Sequence, residues 1–395
     1  MAKVRKRTWT NGKGEHTAWV ADYFDQAGKR HIKTFERKKD ADAWLVTARG
    51  EMQRGVHIPE SASITVAEAA ALWLERSRLE NLERSTLKQY ATHVALHIAP
   101  SRLGAEKLAR LSTPAIEAFR DELLRTGSRA MARKVLTSLK SILAEAQRRG
   151  LVAQNAATPV RVDVKKRLEG KLVAGRDIPS KAETQGLLTA AQGRWRPFFI
   201  AAVFTGMRAS ELRGLAWADV DLARKVLHVR QRADAWGTMG APKSAAGDRE
   251  IPMSPMVVNA LREWRLICPK GAAGLVFPNG KGNVEAHGNI AKRGFYALQR
   301  STGLVGEDGK PKYGLHALRH FAASLWIEQG FSPKRLQALL GHSSIAMTFD
   351  RYGHLFPSLE DDHAKLAAGE RAVLGGLCVR YAMTGQKKPG RRRAL

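Results

Sequence analysis

Six side chains able to do acid–base, electrostatic or nucleophilic work lie in four short islands of the second half of the sequence. The first island is Thr205-Gly206-Met207-Arg208-Ala209-Ser210-Glu211-Leu212, in which Gly206 ends one helix and Arg208 opens the next. Arg208 and Glu211 are one helical turn apart, a spacing that taken alone reads as an exposed ion pair. The second is Pro242-Lys243-Ser244, in a Gly/Ala-rich turn between two strands, ahead of Asp248-Arg249-Glu250-Ile251-Pro252. A turn lysine implies nothing by itself. The third is His316-Ala317-Leu318-Arg319-His320, in the first turn of a helix running to Gly330. Its His316 and Arg319 project from one face while Leu318 and Phe321 turn to the core. Such a cluster could cap a helix or bind metal, and metal is disfavoured because arginine repels a cation and no carboxylate or thiolate joins it. The fourth runs from Leu339-Leu340-Gly341-His342 to Tyr352. Gly341 stops a helix begun by Ser332 and Pro333, and a short helix is expected to carry Tyr352 away from the core; a lone tyrosine is more often packing than nucleophile.

Together the islands meet the needs of one reaction, attack on a phosphodiester without a metal. Arginine forks bind non-bridging oxygens and the added charge of a pentavalent transition state. A histidine accepts a tyrosine proton, a lysine protonates the leaving 5′ oxygen, and the tyrosine becomes the covalent carrier.

The charge balance agrees. The chain has 395 residues with 66 Lys and Arg against 37 Asp and Glu, a formal net charge of +29. A basic surface of that size favours a polyanion through release of condensed counterions. With 44% hydrophobic and 26% charged residues the composition is that of a folded protein, long enough for two or three domains. Cys268 and Cys378 are too few for a disulfide framework or a zinc site, which fits a reducing cytoplasm. Met1 to Thr10 is basic without an apolar stretch behind it, so no secretory signal is read there. The longest apolar run, Phe198 to Met207, is too short to span a bilayer, and a soluble protein is expected.

The elements that must position these groups form an α+β, mainly helical chain. Residues 1–60 read as a three-stranded meander around Val4–Trp9, Thr17–Phe24 and His31–Phe35, followed by a helix over 39–53 whose Ala41, Trp44, Leu45 and Met52 cover the sheet. Its basic side chains, among them Lys3, Arg5, Arg7, Lys29, Arg30 and Lys33, are interleaved with Trp9, Trp19 and Tyr23. This suits a sheet that enters a DNA groove. His57 to Ser63 reads as a linker. Residues 64–160 read as a four-helix bundle: a Thr65/Glu68 capping box, Ser85 before the second helix, Thr113-Pro114 before the third and Ser128 before the fourth. A basic linker over 161–177 carries Lys165, Lys166 and Arg167 and can lie along phosphates. A mixed, mainly helical domain with a small antiparallel sheet follows over 178–360, opened by a Ser180/Glu183 capping box, with strands near 226–230 and 249–252. Residues 361–395 form a tail whose KKPGRRR end is expected to be disordered.

The four islands, in this order, resemble the signature segments of the tyrosine recombinase (phage integrase) family. The resemblance implies Arg208 and Arg319 as phosphate clamps, Lys243 as general acid, His316 as general base, His342 as a transition-state hydrogen bonder and Tyr352 as nucleophile. Glu211 resembles the acidic residue that supports the first arginine. Residues 1–60 resemble an arm-site DNA-binding module, and 64–160 a core-binding bundle that with the catalytic domain clamps duplex DNA. The resemblance further implies no cofactor, a homo-tetramer on two duplexes joined by a Holliday junction, and a host bending factor or excisionase as accessory partner. It implies a bacterial, nucleoid-associated location and integration or excision of a phage or mobile element. A chromosome-dimer resolvase and a catalytically silent DNA-binding protein of the same fold are the alternatives.

Overall fold

The computed structural model describes residues 3–11, 14–25, 28–53, 57–163, 172–356, 366, 368–370 and 372–373. Lys165, Lys166, Arg167, Cys378 and the KKPGRRR end therefore lie outside the described residues. The chain divides into two compact units, Met1–Lys165 and Lys166–Leu395, and the architecture is mainly helical with small antiparallel sheets.

In the first unit, strands Lys3–Asn11, Gly14–Phe24 and Arg30–Phe35 pair in order as an antiparallel meander. The Lys38–Gln53 helix covers one face through Leu45 against Ala21 and Tyr23. Because side chains alternate along a strand, Lys3, Arg5 and Arg7 share the other face with Asp22, their register neighbours being Asp22, Val20 and Ala18. Arg30 is bound there by Asp22, Nε to Oδ1 at 2.8 Å, and Arg5 pairs with the same carboxylate at 3.2 Å. Lys33 faces the helix side instead, over the Trp44 ring at 5.1 Å and 3.5 Å from Glu60.

The segment expected as a linker after residue 56 is packed. His57 Nδ1 lies 2.9 Å from Glu51 Oε2, with its ring edge-on to Tyr23 and Trp44. Lys107 Nζ donates to the Glu60 carbonyl at 2.8 Å. A histidine and a glutamate are what make this Pro-containing stretch adhere.

The bundle helices are Val66–Leu79, Arg84–His93, Thr113–Thr126 and Arg129–Arg148, packed on Ile98, Phe119, Leu139 and Ile142. The Thr65/Glu68 capping box forms. Ser85 does not open the second helix: Glu83 holds the N-cap position, and Ser85 sits within the first turn with its hydroxyl on Glu83. That helix runs on as a π-helical turn, Val94–Ile98.

In the second unit the Ser180/Glu183 capping box opens Lys181–Ala190, and the Trp195–Thr205 helix is buried nearly all round, from Pro197 to Val203. Strands Val220–Asp221, Val226–Val229 and Arg249–Pro252 form one antiparallel sheet; a second, two-stranded sheet (Arg232–Ala233 with Met239–Gly240) was not legible in the sequence. Helices Ala317–Glu328, Pro333–Leu340 and Ile345–Tyr352 complete the site-bearing half. Among the described residues, no helix is long and apolar enough to cross a membrane.

Candidate active site

Gly206 ends the Trp195–Thr205 helix at φ 57°, a left-handed conformation that favours glycine, and so aims the next residue inward. That residue is the buried Met207, and Arg208 after it is the N-cap of Ala209–Gly214. Glu211 closes the cap, accepting from the Arg208 backbone N–H at 2.8 Å and from Nη1 at 2.7 Å. It also accepts from Arg249 Nη2 at 2.8 Å and Nη1 at 3.2 Å. The Glu211 side chain is 2% exposed and that of Arg249 5%, so the surface-pair reading of Arg208 and Glu211 gives way to a buried network. Burial raises the Glu211 pKa, but Arg249, with Arg208 and Arg319 behind it, holds the carboxyl below its ordinary value.

Arg319 is buried, donating from Nη1 to the Gly206 carbonyl at 2.7 Å and from Nη2 to the Leu340 carbonyl at 2.5 Å. Burial first, then the charge of Arg208, pushes its pKa down to about 9, still cationic at neutral pH. Arg208 Nη2 donates to the Gly341 carbonyl at 3.1 Å. Two guanidinia are thus tied to the C-terminal ends of two helices, Trp195–Thr205 and Pro333–Leu340, before any substrate arrives.

Gly341, at φ 64°, is required on two counts. Its conformation is left-handed, and a Cβ there would lie 2.8 Å from the Ala246 carbonyl oxygen and 2.9 Å from Arg249 Nη1. That close approach sets the lysine turn against the clamp, because Ala246 and Gly247 follow Lys243 by three and four residues. Arg249 ties the same turn down, donating from Nη1 to the Gly247 carbonyl and from Nε to that of Leu339. Lys243 itself is exposed on the turn.

His342 is buried, its Nδ1 2.9 Å from Thr348 Oγ1. Its ring lies parallel to that of Tyr352 within 6°, centroids 6.4 Å apart. Tyr352 does not point away from the core. It is 1% exposed, packed with Ala323, Ile327, Leu336 and Leu340. The reason is an i, i+4 pair: Thr348 and Tyr352 share the inner face of the short helix, where His342 and His320 satisfy their hydroxyls, while Met347 and Phe349 are exposed. The Tyr352 hydroxyl lies 2.8 Å from Nδ1 of His320. Burial pushes the phenol up to about 12 against the pull of Arg319, Arg351 and Arg208.

His316 keeps an exposed edge and meets the His320 ring edge-on at 4.7 Å. The surrounding protein, then Arg319, Arg208 and Arg351, holds His316 down at about 4. Burial followed by His316, Arg351 and Arg319 does the same to His320, and burial with Arg319, Arg208 and Arg249 to His342. All three imidazoles are neutral at pH 7. Five of the six expected groups, Arg208, His316, Arg319, His342 and Tyr352, therefore meet, and Lys243 stands on the adjoining turn.

The phage integrase family model matches residues 180–358, the segment that carries all six. Over that segment the chain carries a tyrosine recombinase (phage integrase) domain. It is a site-specific DNA recombinase of the phage or transposon type. A tyrosine recombinase XerC-like protein of Caldanaerobacter subterraneus is 26% identical over 375 residues, 88% of this chain and 94% of that protein. The fold is that of the Tn1549 transposon integrase in complex with a circular intermediate DNA (TM-score 0.65, 22% identity, 78% of this chain and 99% of that chain). It is also that of a lambda integrase tetramer bound to a Holliday junction (TM-score 0.57, 20% identity, 85% and 95%).

Two residues of this recombinase site escaped the motif reading. Arg249 sits in a charged run that looks like a solvated strand, yet it lies two residues before the buried Ile251 and so shares its inward face. His320 lies four residues after His316, the spacing that stacks two side chains on a helix, and the pair was legible without its role.

Proposed function

We propose that this recombinase cuts and rejoins duplex DNA with Tyr352 as nucleophile and residues 178–360 as the catalytic domain. What carries the reading is one phenol, two cationic guanidinia and three neutral imidazoles gathered around the carbonyls of Gly206, Leu340 and Gly341. Arg208 and Arg319 hold the non-bridging oxygens of the scissile phosphate and the charge that grows on them. His342, whose Nδ1 is engaged by Thr348, offers Nε2 to the same oxygens. A neutral imidazole, for which the motif singles out His316, takes the phenolic proton, and Lys243 protonates the departing 5′ oxygen. The Oη–P bond forms as the P–O5′ bond breaks, leaving a 3′-phosphotyrosyl ester and a free 5′-hydroxyl. That hydroxyl attacks the partner strand in the reverse reaction, so one ester replaces another and no high-energy cofactor is needed.

Exchange between two duplexes takes four such sites, and the lambda integrase tetramer on a Holliday junction supports a homo-tetramer here. Residues 64–160 grip core DNA, and the sheet of residues 1–60 grips arm sites through its Lys3, Arg5 and Arg7 face. The biological outcome is integration or excision of a phage or mobile element in a bacterial cytoplasm, with a bending factor or excisionase setting direction.

A nicked suicide duplex bearing the cognate core tests this. Wild-type protein gives a covalent adduct resistant to denaturation, Tyr352→Phe gives none, and chelator leaves the wild-type yield unchanged. Arg208→Lys, which keeps charge but loses the fork, lowers adduct formation on the order of 100-fold while DNA binding changes little. The 1% exposure of Tyr352 is also what a silent DNA-binding member of the fold would show. Cognate DNA that is bound without any adduct would establish that second reading.

A further inference from the structure

We propose that His320, not His316, is the catalytic base that takes the Tyr352 proton during cleavage and returns it at ligation. The proposal deepens the reading of Tyr352 as nucleophile and rests on it. The geometry is direct. Nδ1 of His320 is 2.8 Å from the phenolic oxygen, with the rings edge-on at 5.7 Å. A buried hydroxyl must place its proton, and among the described residues this nitrogen is the partner recorded for it. Nδ1 is then the acceptor and Nε2 carries the ring proton. His316, at the N-cap of the same helix, meets the His320 ring edge-on with centroids 4.7 Å apart.

The charges facing His320 suit a base that stays neutral until needed. His316 and Arg319 on its own helix and Arg351 beside Tyr352 oppose its protonation, and Asp177, ahead of the Ser180/Glu183 cap, favours it. The resting phenol sits at about 12 and the imidazole at about 4. Proton transfer in the free protein is therefore strongly uphill, and the nucleophile is silent without DNA. A phosphodiester anion drawn in by Arg208 and Arg319 changes this balance by stabilising an imidazolium beside it. Transfer then accompanies bond formation: the Oη–H bond breaks as Nδ1–H and Oη–P form, and O5′ leaves with a proton from the general acid. At ligation the 5′-hydroxyl attacks, its proton passing back to the general acid, while Oη leaves and recovers its own proton from Nδ1–H. His316 is released to donate to a phosphate oxygen.

The test uses full-length protein and a cognate duplex with sulfur replacing the bridging 5′ oxygen at the scissile position, a leaving group that needs no acid. His320→Ala and His320→Asn are compared with wild type, Lys243→Ala and Tyr352→Phe. Asparagine can accept the phenol's hydrogen bond but cannot take its proton. Both His320 variants are expected to form adduct on the order of 100-fold more slowly on the oxygen and the sulfur substrate alike, whereas the sulfur restores Lys243→Ala. Their rates should rise tenfold per pH unit between pH 6 and 9, as hydroxide replaces the base, where wild type is flat. Wild-type rates in His320→Asn, or rescue of either His320 variant by the sulfur substrate, overturn the proposal. Loss of the wild-type adduct, or an adduct in Tyr352→Phe, instead removes the nucleophile reading on which it rests. Thermal melting and DNA binding of each variant exclude misfolding as the cause.

Discussion

Glu211→Gln separates a buried electrostatic keystone from a surface ornament. An exposed ion pair contributes about 0–1 kcal/mol. Removing one partner of a buried pair costs about 3–5 kcal/mol, because the remaining charge has neither water nor counter-ion. Glu211 is 2% exposed and receives Arg208 Nη1 at 2.7 Å and Arg249 Nη2 at 2.8 Å. Glutamine keeps the shape and one good acceptor, but turns an NH2 group toward a guanidinium. The lower end of the range, about 3 kcal/mol, is therefore expected. For a unit of this size each kcal/mol moves the midpoint by about 2–4 °C, so Tm should fall by roughly 6–12 °C. Calorimetry reads this, with Glu250→Gln as control: Glu250 lies on the strand beside Arg249 but its side chain is 53% exposed, and it should change stability by less than about 0.5 kcal/mol. Because salt screens buried pairs poorly, the deficit should persist in 1 M salt. Adduct formation should fall with it, since Arg208 loses the carboxylate that aims it. A variant that melts with wild type, or whose deficit vanishes in high salt, refutes the buried-network argument.

Further outcomes are expected at the three histidines, at two glycines and at two arginines. His316, His320 and His342 have folded pKa values near 4, below the ordinary 6.5. The unfolded chain thus binds more protons below pH 6.5, so stability is full above that pH and is lost as pH falls toward 4; a urea midpoint unchanged between pH 7 and 5 would contradict this. Gly341→Ala should lose about 1–3 kcal/mol through left-handed strain and overlap with the Ala246 carbonyl and Arg249, and lose cleavage with it. Gly186→Ala, in the open middle of the Lys181–Ala190 helix, should instead gain about 0.5–1 kcal/mol. Arg7→Ala should lower arm-site affinity and reduce the salt slope of binding by about 1, measured by titration at several salt concentrations. Arg30→Ala should act mainly on stability, because Arg30 is committed to Asp22.

The class of chemistry and most of the elements are legible in residue type and local pattern. Residue type decides what a side chain can donate, accept or attack, and caps, glycine stops and periodicity are local. Thr65/Glu68, Ser180/Glu183, Ser332-Pro333 and Gly341 therefore delimit helices from sequence alone. How distant groups face one another is set by packing across the fold. Arg249 reaches Glu211 across 38 residues and Arg319 reaches Gly206 across 113. Neither spacing leaves a periodic trace. Tyr352 turned inward because Thr348 and Tyr352 found imidazole partners inside, a decision made by His342 on the preceding turn and His320 on the Ala317–Glu328 helix. The stretch after residue 56 looked like a tether for the same reason: its adhesion depends on Glu51, Tyr23 and Lys107, which sequence distance hides and packing brings together.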